Sequence, residues 1–325
     1  MFREGCVECA RHLIAAGADK DLEDPDRVTP LNMAIFNLHF EFAALLVKAG
    51  ADLDKWDLYG RTPIYMAADV STLPTKGNGN MAVLPSEDAI TALDIGKLLL
   101  DAGANPNIQL KRRPPYRDVP QDRGGDAMLA QGATPLLRAA RGGDAPFVQL
   151  LLQNNALVDL PSKEGITPLL AAAGVDFGNR VTRGRNRTDE GVLATMQLLL
   201  DAGADINARM VTERRAVVPE GTSQAAAFAF NVRGRPSQVP SPNAVPHQTA
   251  LHGAAERGFT KFVKFLVEHG ADVTAKDASG RTALDLAKGI GVPGVRQAAG
   301  EGFPETAALL ESLMAAKATS PPVSR

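Results

Sequence analysis

Residues 134–166 read TPLLRAARGGDAPFVQLLLQNNALVDLPSKEGI, and Thr167-Pro168-Leu169 then begins the same phrase again. Thr-Pro opens a helix, because the threonine hydroxyl accepts from the first turn and proline fits the first helical position, where its missing N–H is not needed. Two helical runs follow: a short alanine-rich one around Ala139-Ala140 and an apolar one through Phe147, Leu150 and Leu151. Asn154-Asn155-Ala156 closes the second run. A residue that tolerates left-handed φ ends a helix, and asparagine is the best choice after glycine. The phrase therefore predicts two helices followed by a hairpin.

The same signals recur along the chain. Thr29-Pro30-Leu31, Thr62-Pro63-Ile64, Thr249-Ala250-Leu251 and Thr282-Ala283-Leu284 are further openings. Ala16-Gly17-Ala18-Asp19, Ala49-Gly50-Ala51-Asp52, Ala102-Gly103-Ala104-Asn105, Ala202-Gly203-Ala204-Asp205 and His269-Gly270-Ala271-Asp272 are further closures. From closure to opening the step is 12 residues at Gly17–Thr29, Gly50–Thr62, Asn155–Thr167 and Gly270–Thr282. From opening to closure it is 21 at Thr29–Gly50, Thr134–Asn155 and Thr249–Gly270, so the unit is 33 residues. A fixed period of this size signals an array in which each unit buries its face on its neighbours.

A 33-residue unit with a Thr-Pro-Leu opening, an Ala-Gly-Ala-Asp close and a hairpin ending Gly60-Arg61 or Gly280-Arg281 resembles the ankyrin repeat. The resemblance covers about seven units. It implies an all-α ankyrin-repeat solenoid of stacked helix-turn-helix units with hairpin fingers. That solenoid is expected as one elongated domain over residues 1–316, with a disordered tail at 317–325. Thr249-Ala250-Leu251-His252 carries the family's histidine, whereas Asn32, Tyr65, Leu137, Leu170 and Asp285 hold that position elsewhere. These departures predict a weaker hydrogen-bond pattern between units. The family also implies a non-enzymatic scaffold that binds a protein partner on the concave surface of hairpins and first helices.

Aligned by unit, Met314 takes the place of Gly50. Six steps of 33 account for 198 of the 297 residues between Gly17 and Met314, so 99 are inserted. Insertions near 70–88, 174–190 and 289–302 separate the two helices of a unit, and those near 110–130 and 208–247 lengthen hairpins. Loops of such length are functional or disordered. Arginine gathers in them: Arg112, Arg113, Arg117 and Arg123, then Arg180, Arg183, Arg185 and Arg187, then Arg209, Arg214, Arg215, Arg233 and Arg235. The net charge of -2 thus hides a segregation, with acidic repeats and basic insertions. At the start, Cys6 to Gly17 aligns as a second helix, so the chain opens within a unit.

Composition narrows the function classes. At about 150 residues per domain the 325-residue length suggests two domains, a count that the repeat replaces with one. The near-balanced charge excludes binding polyanions by bulk attraction, and no apolar run approaches the roughly 20 residues of a membrane span. Two cysteines cannot build a disulfide framework. A soluble, monomeric protein is expected, cytoplasmic unless an upstream signal peptide directs it to the periplasm or outside the cell.

Catalytic, metal and cofactor sites are all expected to be absent. Cys6-Val7-Glu8-Cys9 lacks the second pair that zinc needs and the following histidine of a haem attachment. Cys9 aligns with Phe42, Phe147 and Phe262, so it reads as a buried structural cysteine. Gly289-Ile290-Gly291-Val292-Pro293-Gly294 follows a helix and contains proline, and so reads as a turn and not a dinucleotide loop. The five histidines lack metal-ligand spacing, and His252 reads as a cap.

One constellation stands apart. Trp56, Tyr59 and Tyr65 lie within ten residues, and Tyr116 follows in the next hairpin. Trp56 and Tyr59 align with Asp277 and Ser279 at a hairpin tip. Neighbouring hairpins sit side by side, so Lys55, Trp56, Tyr59, Arg112, Arg113 and Tyr116 are the expected protein-binding surface; Trp, Tyr and Arg dominate binding hot spots. The competing reading has Trp56 packing on the adjacent insertion. Arg180, Arg183, Arg185, Arg187, Arg214 and Arg215 are the alternative, a site for an anionic ligand, with nucleic acid the less expected partner.

Overall fold

The computed structural model describes residues 6–71, 86, 88–112, 131–175, 187–211, 247–290 and 302–319. The interiors of all five insertions lie outside that set. Its elements are helices only: α1 (Val7–Ala15), α2 (Pro30–Phe36), α3 (Phe40–Lys48), α4 (Pro63–Ser71), α5 (Ala92–Asp101), α6 (Pro135–Gly142) and α7 (Ala145–Gln153), continuing with α8 (Pro168–Ala173), α9 (Asp189–Asp201), α10 (Ala250–Glu256), α11 (Thr260–Glu268), α12 (Ala283–Ala287) and α13 (Pro304–Thr319). Unit 1 contributes α1, and units 2 to 7 contribute one pair each, from α2/α3 to α12/α13.

The openings work as their chemistry requires. The hydroxyls of Thr29, Thr62, Thr134, Thr167 and Thr282 each accept the backbone N–H three residues on. Gly17, Gly50, Gly103, Gly203 and Gly270 take left-handed φ after the second helices, and Asn155 does the same at φ 63°. Met314 stands where these residues end a helix, and there α13 runs on to Thr319, beyond the expected end of the solenoid. Methionine disfavours the left-handed φ through which those helices close.

First helices pack on first helices in chain order, and second helices on second helices, giving two layers. Alanines of the first helices, among them Ala34, Ala67, Ala139, Ala172 and Ala254, are completely buried, which permits the close spacing. Gly253 takes this further: a Cβ there would lie 2.5 Å from the Val175 backbone nitrogen. One apolar core runs from Ala10 to Leu310. No helix among the described residues is long and apolar enough to cross a membrane.

Two readings change, while Tyr65, which stands outside the expected contact set, is completely buried in α4. Cys9 is not a buried free thiol: it is bonded to Cys6 and only half-buried, because its position lies in the first turn of α1 beside the capping residue. Trp56 is half-buried and not a free hairpin tip, for reasons that lie in the neighbouring fingers.

Candidate interaction surface

Each finger runs from the close of a second helix to the next threonine, and its shape has two causes. The first is the tip. The residue two before the threonine has left-handed φ in all six fingers: Arg27, Gly60, Gly132, Gly165, His247 and Gly280. In finger 2 the Asp57 carboxylate holds the turn, accepting the N–H groups of Tyr59 and Arg61 and the Arg61 Nε at 2.6 Å. Asp277 repeats this with Ser279 and Arg281, and Asp24 and the Ser162 hydroxyl do the backbone part alone.

The second cause is a ladder between fingers. Asp21 accepts the Asp52 N–H at 2.8 Å, Asp54 that of Asn105 at 2.9 Å, Asn107 that of Leu157 at 2.8 Å, Asp159 that of Asp205 at 2.9 Å, and Asn207 that of Asp272 at 2.9 Å. Each acceptor is the Asp or Asn two residues past the column that holds Asp19, Asp52, Asn105, Leu157 and Asp205. The spacing of the fingers is therefore fixed by hydrogen bonds of one kind.

Fingers 1 to 3 meet around Trp56. Leu58 N–H reaches the Asp26 carbonyl of finger 1, and the N–H groups of Lys111 and Arg112 in finger 3 both reach the Tyr59 carbonyl. Gly60 admits this approach, since a Cβ there would lie 2.4 Å from the Lys111 nitrogen. Two cations then lie over the Trp56 ring, the Arg27 guanidinium at 5.7 Å from its centroid and the Lys111 ammonium at 5.4 Å. Such contacts are worth about 0.5–1 kcal/mol each at exposed sites. Arg61, besides binding Asp57, lies over Tyr59 and over Phe36 at the end of α2, which ties the fingers to the first-helix layer.

Among the expected contact residues, Trp56 and Tyr59 are half-buried and adjacent, and Arg112 is exposed beside them. Lys55 is turned to finger 1, donating to the Asp21 carbonyl at 3.1 Å and pairing with Glu23. Arg113 and Tyr116 lie outside the described residues. Sequence reasoning missed Arg27 and Lys111, which hold the Trp56 ring. The signal for Arg27 was its place in the glycine column of the tips. Of the alternative anion-binding set, Arg187 is described, and its guanidinium donates to the carbonyls of Arg141 and Ala172. Arg180, Arg183, Arg185, Arg214 and Arg215 lie outside the described residues.

His252 is the most distinct titratable group. Its Nδ1 accepts the Thr249 N–H at 3.2 Å and lies 2.8 Å from the Thr249 hydroxyl, so Nε2 carries the proton and donates to the Arg281 carbonyl at 3.1 Å. Burial lowers its pKa, opposed by that carbonyl and by Asp277, while Arg209 and Arg281 lower it further. The unfolded chain therefore takes up this proton first. His252 adds full stability above pH about 6.5, and that contribution falls as the pH drops below that value. Melting temperatures taken from pH 7.5 to 5.5 should drop, and His252→Asn should flatten the drop; an unchanged profile in the variant would exclude His252 as its source. Asn32, at the same position in unit 2, donates instead to the Lys55 carbonyl at 3.2 Å, so this departure from histidine still bonds a first helix to a finger, at a different carbonyl.

The family model for ankyrin repeats in three copies matches residues 1–74 and 231–290, and that for a single ankyrin repeat matches 131–163, together just over half of the chain. Human ankyrin repeat and SOCS box protein 16 is 26% identical over 284 residues, covering 87% of this chain and 45% of that protein. The mouse B-cell lymphoma 3 protein homolog is 25% identical over 269 residues, covering 82% and 41%. The chain thus spans less than half the length of these curated relatives. The solved human ASB11 ankyrin repeat domain superposes with a TM-score of 0.57 at 18% identity, covering 99% of this chain and 97% of that one, a likeness of fold. The period, the capped openings, the finger ladder and these matches agree: the chain belongs to the ankyrin-repeat family.

Proposed function

We propose that the chain is a non-enzymatic interaction module that holds a protein partner against fingers 1 to 3, with Trp56 as its anchor. Ankyrin repeats are generally protein–protein interaction modules, which supports the class of activity. The observation that carries the location is the Trp56 ring, half-exposed and held by Arg27 and Lys111 from the two neighbouring fingers. A large aromatic side chain already ordered before binding loses little entropy when a partner covers it. Arg112 and Lys111, both exposed, border it. The anionic-ligand reading has less behind it, since the described member of its residue set, Arg187, is committed to backbone carbonyls.

The test begins with affinity capture of the partner by the intact chain. Trp56→Ala should then weaken binding by about 2 kcal/mol or more, roughly thirtyfold in Kd. Folding should survive, because Trp56 lies outside the buried core. A loss below about 1 kcal/mol would remove Trp56 as an anchor.

A further inference from the structure

The chain has two cysteines, and they are joined to each other across the first turn of α1, with Cα atoms 5.4 Å apart. As a staple this bond does little. The stabilisation a disulfide gives grows with the length of chain it encloses, and this one encloses only Val7 and Glu8. Neither sulfur-bearing residue is in the core; both are half-buried at the surface of unit 1.

The two positions are not equivalent. Cys6 is the N-cap of a nine-residue helix, and its Sγ accepts the Cys9 N–H at 3.3 Å. Cys9 is the third residue of the helix, within its first turn. Once the bond opens, a thiolate on Cys6 keeps that N–H donor and faces the positive end of the helix, and both stabilise the departing anion. The nearest charged side chain in the turn, Glu8, is paired with Arg11 at 3.3 Å. A short-loop disulfide, an accessible surface and one sulfur placed to leave as a stabilised thiolate are the requirements for reversible exchange.

We infer that Cys6–Cys9 is a thiol–disulfide exchange site that accepts two electrons from a thiol reductant. A reductant thiolate attacks one sulfur of the pair, the Sγ–Sγ bond breaks, and its electrons remain on the departing sulfur. A second reductant thiol attacks the mixed disulfide and leaves as the oxidised, disulfide form of the reductant. Two thiols give two electrons and two protons, and the chain ends as a dithiol. The site is independent of the Trp56 surface.

The experiment uses the full chain and glutathione. The chain is equilibrated with reduced and oxidised glutathione over a range of ratios, then thiols are trapped with a maleimide and counted by mass. No label should appear under oxidising conditions, and two should appear together as the ratio becomes reducing, with the circular dichroism spectrum unchanged. After reduction, iodoacetamide should alkylate Cys6 at pH 6 about tenfold faster than Cys9, a contrast read separately in Cys9→Ser and Cys6→Ser chains. Two ordinary thiols under oxidising conditions would overturn the inference, as would a disulfide that yields only to denaturant. Equal alkylation rates would overturn it as well, because they would remove the exchange asymmetry.

Discussion

Arg138→Met should destabilise the chain by about 3–5 kcal/mol, the usual cost of leaving one member of a buried ion pair without the other. Arg138 projects from α6 in unit 4, and its Nε meets the Asp69 carboxylate of α4 at 2.5 Å. Both side chains are almost fully withdrawn from solvent, with 3% and 10% exposure. The pair joins units 3 and 4, and a second polar link runs beside it: the Ser71 hydroxyl donates to Asp144 at 2.6 Å, and Asp144 also caps α7. A stack is held by interfaces between neighbours, so weakening this one should split a single urea transition into two. Replacing both partners, Asp69→Leu with Arg138→Met, should recover most of the loss. Urea unfolding followed by circular dichroism measures each variant, and a cost below about 1 kcal/mol for Arg138→Met would show that the pair contributes little.

Phe147→Ala should cost a similar amount, about 3–5 kcal/mol, through a cavity at the same level of the stack. Phe147 is completely buried, and its ring fills the hollow left by Gly96 of α5: a Cβ on Gly96 would lie 2.6 Å from the Phe147 Cζ. The column to which it belongs alternates in size. Phe42, Phe147 and Phe262 occupy units 2, 4 and 6, while Ile95, Thr195 and Thr306 occupy units 3, 5 and 7. Alternating large and small residues lets facing layers interlock, and Phe147 finds its room at Gly96, the residue beside the unit 3 member Ile95. The converse change, Gly96→Ala, should cost about 1–3 kcal/mol by overpacking. Thermal melts of both variants would test the fit; if Gly96→Ala melts like the wild type, the ring is not seated as described.

These two sites differ in how far the sequence foretells them. The Phe147 column follows from the 33-residue period alone, since the alignment that identifies the units also places Phe42 and Phe262. The helix caps were legible for the same reason: threonine and glycine act within a few residues of themselves. Arg138 was visible as an oddity, an arginine where the other units carry Met33, Met66, Ala171, Gly253 and Leu286, but its partner came from another unit. Long-range pairing has no local signature. The finger ladder lay in plain view as Asp21, Asp54, Asn107, Asp159 and Asn207, yet its purpose appears only when adjacent fingers are side by side.

The candidate surface was partly legible. Clustering of Trp56 and Tyr59 at a tip was enough to single out finger 2. Lys55 neighbours Trp56 in sequence, but adjacent finger residues face different ways, and Lys55 turns to Glu23. Lys111 falls in the basic insertion near 110–130 and has no sequence signal of its own, yet its backbone and ammonium both pack on finger 2. Cys9 misled for a physical reason too. Its column is apolar in the middle of the stack, but in α1 a cysteine three residues back completes a disulfide.

Trp56 is the chain's only tryptophan, so a single fluorine probe reports on the surface proposed to bind the partner. The chain is produced with 5-fluorotryptophan, and its one fluorine resonance is followed as the captured partner is added. The proposed function predicts a resonance that shifts or broadens in step with binding and saturates at one partner per chain. A resonance that stays unchanged while an independent assay shows the partner fully bound would contradict it.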